Sequence, residues 1–478
     1  MDQLTTFDGH GLDARELATL KKLSNQFQAH QPQNNLRGLY YLGKRSLRMA
    51  GKLGFAMPPQ LEKLEIPLGW PAKAVSALEH RLDIRGFLIP EDPDRDAGLD
   101  EIVRDNDLLV ESSMAHTAGL IHGAAVITVS EGDQQAGEPP AVIAARSARE
   151  GTALWSKRSR RVTAGLTVNS GDGIDELPQV TLWLPHQVIT ITKHRTGYAV
   201  RRHPHRLGRV PMEMLAYRPY LENPHGQPRI TDIVMGLTDA AVRTVLRMEG
   251  TAEFFSFPTR YALGVNKKDF EDTFKTYLNR LLALGRDEEQ NLPELGQFSS
   301  ASPEPHIAQL RALAAQFAGE TAIPLNQLGV VQDNPASADA IRAAEAELIK
   351  TAERAQRGYS PAWSRAVAMA HQIYDQAPQA DPRLDTLMTQ WYDAATETKA
   401  ATAQSVMTLV TAGVLPAKDR ITWEQLGYDE ATIRRLEANA TRERAARTLA
   451  ALNQAAGTNP SLTPPEAPPD TPEALPPA

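Results

Sequence analysis

The sequence predicts an α+β protein, mainly α, on three observations. Apolar residues recur at helical spacing along most of the chain, a strand-rich insert interrupts them at 124–217, and Ala-rich helical runs return after it. The 478 residues are 42% hydrophobic and 23% charged, ordinary for a folded globular chain. Zero cysteines exclude disulfides, thiolate metal sites and cysteine nucleophiles. With 51 Lys and Arg against 58 Asp and Glu, the net charge is −7. That sign is wrong for holding nucleic acid over the whole surface, so any dealing with DNA is local or non-adhesive. No positive segment followed by an apolar one opens the chain, which argues against export, and the longest uncharged stretch, 112–130, is too polar to span a membrane.

Between 13 and about 54, Leu17, Leu20, Leu23 and Phe27, then Leu36, Leu39, Tyr40 and Leu47, predict two amphipathic helices. Pro71 at a first helical position starts PAKAVSALEHRL, and a further helix is expected over 99–121 with Gly123 near its end. The runs AAVITVS, AVIAA, RVTAGLTVN, QVTLWL and QVITITKHRTGYAVRRH read as strands of a meander. The last of these turns at Arg195-Thr196-Gly197, where Gly197 supplies a positive φ. No proline interrupts 229–257, a helix of roughly 40 Å. A small mixed lobe follows at 258–305, with a β-like stretch at 261–265 and a helix at 268–284. Next come a helix ending near Gly319, a loop containing Pro324 and Pro335, and a helix N-capped by Ser337. Gly358, Ser360 and Pro361 predict a bend in that last helix. Beyond Pro382 stand Ala-rich helices, and the last 22 residues, with eight prolines, read as disordered.

Little in the chain nominates a catalytic or metal site. Asp92, Asp94 and Asp96 imitate a calcium loop, but Ala97 stands where Gly is needed and Val103 where a bidentate Glu is needed. His203 and His205 flank Pro204 among Arg201, Arg202, Arg206 and Arg209, which repel a cation. His116 and His122 read as core or surface histidines, and no HExxH, Walker loop or GxSxG elbow occurs. Basic clusters at 146–161 and 193–209 admit nucleic acid or an acidic partner, with a solvated or subunit-contact surface as the leading reading. The most informative feature is an absence: the thirty residues 312–341 hold no Lys or Arg, while Glu320, Asp333 and Asp339 are present.

Four segments carry a resemblance: YYLGKRSLR at 40–48, RHPHRLGRVPMEML at 202–215, RPYLENPHGQPRITDIVMGLTDAAVRT from Arg218, and NPASADAIRAAEAELIKTAERAQR from Asn334. With the order of elements they make the chain resemble the portal proteins of tailed bacteriophages, the head-tail connector family of siphovirus type. The resemblance implies a portal fold and a ring, commonly of twelve subunits, at one capsid vertex. It also implies a channel for packaging and ejecting double-stranded DNA, and a docking platform for the terminase packaging motor and the neck or adaptor proteins. Major capsid and scaffold proteins are further implied partners, with no membrane, no cofactor and no enzymatic activity. The implied location is the virion, and the host cytoplasm during assembly. Mapped onto this chain, the family's parts become an N-terminal wing at 1–229 with the strand-rich insert, a stem helix at 230–257, a clip at 258–305 and a second stem helix at 306–322. They continue as a tunnel loop at 323–337, a kinked long wing helix at 338–376, a helical crown at 377–456 and a Pro-rich tail at 457–478.

The tunnel loop would carry Asn326, Gln327, Gln332, Asp333 and Asn334 at the narrowest point of the channel. A duplex driven through a tube must not be held, and each phosphate-cation contact adds a salt-dependent grip. Amide groups touch DNA without a deep electrostatic minimum. Two alternatives stay open on sequence: a soluble enzyme using His203 or His205 with a carboxylate, and a helical capsid scaffold without a channel.

Overall fold

The computed structural model describes residues 9–44, 68–90, 98–169, 178–194, 197–256, 260–263, 294–297, 302–329, 338–395, 399–428 and 430–457. They fall into two compact units, dividing between Ala394 and Ala395.

Helix α1, Ala14–Tyr41, starts on a capping box. Asp13 Oδ1 accepts from the N–H groups of Arg15 (2.8 Å) and Glu16 (2.7 Å), and Glu16 Oε2 accepts from Asp13 N (2.8 Å). Where two helices were expected, α1 is a single helix through Pro32. The turn around this proline is docked from outside, since Gln31 Nε2 and Asn34 Nδ2 donate to the Ala148 carbonyl at 3.3 and 3.1 Å. Helix α2, Trp70–Glu79, carries Pro71 in its first turn and starts one residue before the proline at which its sequence predicts it to begin.

The single helix expected at 99–121 is two helices, α3 (Leu99–Asp105) and α4 (Leu108–His122). Asn106 breaks it: its amide donates to the Ile102 carbonyl at 3.0 Å, its Oδ1 accepts from Ile143 N at 2.8 Å, and Asp107 turns left-handed at φ 44°. A strand also lies in this region that read as wholly helical. β1, Ile84–Leu88, pairs antiparallel with a strand about 300 residues later, Met388–Trp391.

The insert forms two antiparallel sheets. β2 (Ala124–Glu131) lies between β3 (Ala141–Ser147) and β9 (Met212–Ala216). A five-stranded meander holds β4 (Gly151–Ser156), β5 (Arg161–Asn169), β6 (Gln179–Trp183), β7 (Gln187–His194) and β8 (Gly197–Pro204) in sequence order. The β7–β8 hairpin closes with His194 opposite Gly197; Arg195 and Thr196 lie outside the described residues. On one face of the meander Leu166, Leu182, Ile189 and Ile191 pack against Leu20, Leu23 and Phe27 of α1. On the other, Val162 and Trp183 meet Val126, Met212 and Met214 of the smaller sheet. The sheets approach so closely that a Cβ on Gly165 would overlap the end of the Met212 side chain, so any larger residue there needs Met212 to shift.

Helices α5 (Asp232–Ser256) and α6 (Glu304–Thr321) lie side by side. Between them β10 (Arg260–Leu263) pairs with β11 (Glu294–Gln297); the helix expected at 268–284 lies outside the described residues, as do Ser337 and the Pro-rich end after 457. Helix α7, Ala338–Tyr374, is the spine of the main core, where Tyr359, Trp363, Ala366, Val367 and Ala370 are fully buried. It runs uninterrupted through Pro361. Its turn before the proline is clamped, because Ser360 Oγ donates to the Gln356 carbonyl (2.7 Å) and accepts from Trp391 Nε1 (2.8 Å).

Residues 377–394, expected in the crown, stay with the first unit. Met388–Trp391 form β12 against β1, and Arg81 Nη1 donates to the Ala394 carbonyl at 2.5 Å. The second unit begins after them. In it α8 (Lys399–Thr411), α9 (Arg420–Gln425) and α10 (Glu430–Gly457) gather around Val406, Trp423 and Ile433, with ion pairs from Lys418 to Glu443 and Arg420 to Glu437.

Candidate functional site

The cation-free stretch, 312–341, starts within α6 and runs on through the connection that follows it. Ala322 caps the helix in the left-handed region (φ 53°), Ile323 is buried, and Pro324 leads into a 3-10 turn, Leu325–Leu328, closed by Gly329 at φ 80°. Leu325 and Leu328 pack on the main core, which leaves Asn326 exposed and Gln327 half-buried. Gln332, Asp333 and Asn334 lie outside the described residues.

What fixes this segment is a residue the sequence did not nominate. Arg229, buried just ahead of α5, donates through Nε to the Ala74 carbonyl, through Nη1 to the Tyr217 hydroxyl (3.3 Å) and through Nη2 to the Thr321 carbonyl (2.5 Å). The last of these is a carbonyl at the C-terminus of α6, left without an intrahelical partner and favourably placed for a cation. Burial lowers the pKa of Arg229, yet its guanidinium stays charged because arginine starts so high. One side chain thus ties α2, the end of β9, the start of α5 and the end of α6 together. Tyr40 adds a second tie, donating to the two oxygens of Asp239 on α5 at 2.8 and 2.9 Å. A lone arginine before a helix gives no sequence signal of this kind.

The histidines do not assemble a site. His203 is exposed on β8. His205 is half-buried, its Nε2 lies 3.0 Å from the Leu184 carbonyl, and burial lowers its pKa. Glu131 acts on it only through its charge. Among the described residues no three His, Cys, Asp or Glu side chains are placed to hold a metal ion; the Asp92–Asp96 motif lies outside them. His116 is a core residue, stacked on Tyr359 with centroids 5.1 Å apart, and its Nε2 accepts from Trp363 Nε1 at 2.9 Å. That bond needs the lone pair on Nε2, so the ring is the neutral Nδ1-protonated tautomer. Burial drives its pKa down to about 3. For His122 burial, with Arg149 and Arg37 nearby, brings it to about 4.

The basic clusters divide. Arg202 is structural, bonded to Glu16 (2.8 Å) and the Gly11 carbonyl (2.6 Å), and Arg149 donates to Asn35 (3.0 Å). Lys157, Arg158, Arg160 and Arg161 are exposed at the β4–β5 turn.

The model of the phage portal protein family of SPP1 Gp6-like type matches residues 20–444. The chain belongs to this family. Among curated relatives, the portal proteins of Mycobacterium phages L5 and D29 are each 29% identical, over 369 and 370 residues, covering 75% of both chains in each case. Among solved structures, a chain from the neck of a native GTA particle, computed with C12 symmetry, is 13% identical with a TM-score of 0.44. It covers 80% of this chain and 98% of its own, and at that score adds nothing to the family assignment. Portal proteins are structural components of the virion. In this portal chain no described helix is long and apolar enough to cross a membrane.

Proposed function

We propose that copies of this chain close into a ring, of about twelve subunits as the family suggests, at one capsid vertex, and that DNA passes through its axis during packaging and ejection. Helices α5 and α6 form the stem, β10 and β11 belong to the clip, α7 is the long wing helix, and the second unit is the crown. Residues 323–337 form the tunnel loop at the throat. The observation that carries this reading is the join between a cation-free stretch and a rigid anchor: the thirty residues 312–341, without Lys or Arg, span the end of α6, where Arg229 locks the Thr321 carbonyl, and the connection after it, which exposes an amide, Asn326. DNA carries one charge per about 1.7 Å of duplex axis, so a throat of neutral amides passes it without a sequence of electrostatic stops.

The packaging motor, neck or adaptor proteins and major capsid and scaffold proteins are its partners. It assembles in the host cytoplasm and performs no chemistry of its own. The test is electron microscopy of the purified full-length protein with in vitro packaging. Rings with a central hole that support packaging are expected; particles without a hole return the non-channel scaffold.

A further inference from the structure

Two hairpin tips of opposite charge stand exposed in the insert, and among the described residues neither forms an ion pair. The β2–β3 tip, residues 131–140, carries Glu131, Asp133 and Glu138 and no cation. It is a built turn: Asp133 Oδ1 accepts from the N–H groups of Gln135 (3.0 Å) and Ala136 (3.2 Å), and Glu138 accepts from Asp133 N (2.7 Å). All three acids are exposed, and the half-buried His205 beside Glu131, its pKa lowered, brings no charge at neutral pH.

The β4–β5 tip is the converse. Lys157, Arg158, Arg160 and Arg161 are exposed in five consecutive positions with no acid among them. Behind them Glu213, on β9, is already taken by Arg365 in a two-pronged pair at 2.8 and 2.7 Å. Partial burial, then the positive charges of Arg365 and Arg209, lower the pKa of Arg161, and Glu213, shared with Arg365, offsets part of this. Among the described residues no ion pair joins Glu131, Asp133 or Glu138 to any base, or Lys157, Arg158, Arg160, Arg161 or Arg209 to any acid.

A ring closed by rotation joins one patch of each subunit to a different patch of the next, so every subunit must carry two complementary surfaces. We propose that the acidic β2–β3 tip of one copy seats against the basic β4–β5 tip of its neighbour. This rests on the ring reading above. Exposed ion pairs are individually weak and salt-screened, so the contact chiefly selects which surfaces meet and makes assembly salt-dependent.

The test uses the full-length chain in two charge-altered forms. One carries Glu131→Lys, Asp133→Asn and Glu138→Lys, where Asn keeps the turn's cap; the other carries Lys157→Glu, Arg158→Glu and Arg160→Glu. Each alone should associate about tenfold more weakly per contact at low salt than the wild type. Mixed together, they should restore rings, because every contact between unlike copies regains opposite signs. Recovery on mixing also shows that neither variant is misfolded. Because the chain has no cysteine, Gln134→Cys with Ser159→Cys in one chain should oxidise to a covalent ladder, while either change alone stops at dimers. Rings that form equally well from each altered form at all salts, without a ladder from the double-cysteine chain, overturn this contact and leave the ring standing. A wild-type chain that stays monomeric at all concentrations overturns both. Altered basic tips that lose DNA binding while ring formation is unchanged assign that tip to nucleic acid instead.

Discussion

Replacing Asn326 by lysine puts a cation on the one described side chain of the proposed tunnel loop that is exposed, on a turn held by Leu325 and Leu328 rather than by Asn326 itself. The fold is expected to tolerate it within about 0.5 kcal/mol. In a ring of about twelve copies, if half the lysines reach a phosphate at a time, about six contacts form. Each contributes about 0.9 to the salt slope, giving a slope of about −5 and a grip about a thousandfold stronger at 50 mM than at 200 mM salt. The assay is in vitro packaging of the same DNA by particles carrying wild-type, Asn326→Lys or Asn326→Asp subunits across that salt range. The lysine form is expected to stall at low salt and recover as salt rises, with the aspartate form indistinguishable from wild type. Equal packaging by all three at about 50 mM salt refutes the reasoning.

Arg229→Met leaves the Ala74 and Thr321 carbonyls and the Tyr217 hydroxyl without their buried donor; a loss of about 3 kcal/mol in the unfolding free energy is expected by denaturant titration. Gly165→Ala should cost about 1–3 kcal/mol from overlap with Met212, and Met212→Ala in the same chain should return part of it in the same measurement. Stability should also fall with acid. His116 at about 3 and His122 at about 4 lie below the unfolded value of about 6.5, so between these limits the unfolded chain binds more protons. The stabilisation is complete above about pH 6.5 and is lost on the way down, by up to about 1.4 kcal/mol per pH unit from each histidine. His116→Gln, whose amide oxygen can still accept from Trp363, should flatten the profile between pH 6 and 4; denaturation midpoints with the wild-type pH dependence would contradict this.

Much of the fold was legible because it is written in local periodicity. β2, β3 and β5 to β8 alternate or run apolar over short stretches between turn residues, and α5, α6 and α7 carry long helical spacing, whereas β4 and β9 were not among the runs read as strands. What escaped was settled by distant contacts. β1 is five residues long and becomes a strand only against Met388–Trp391, and that same pairing keeps residues 377–394 out of the second unit. The apolar spacing between 13 and about 54 was read as two helices, but α1 continues through Pro32, and bonds from Gln31 and Asn34 to the Ala148 carbonyl hold the turn around it. Conversely Asn106, with no breaker beside it in sequence, ends α3 because its amide binds Ile102 and Ile143 at once. The cation gap and the Asn326 amide, on which the proposed throat rests, are features of the sequence itself. The role of Arg229 is not, because its partners are two backbone carbonyls and a hydroxyl from three separate elements, and backbone groups leave no mark in a sequence.

The most direct test of the non-adhesive throat is a high-resolution electron-microscopy map of the assembled ring, reading which side chains face the axis at its narrowest point. Residues 323–337 are expected there, with Asn326 directed inward and no lysine or arginine at that level. A narrowest ring lined by cations, or this segment on the outer wall, would contradict the account.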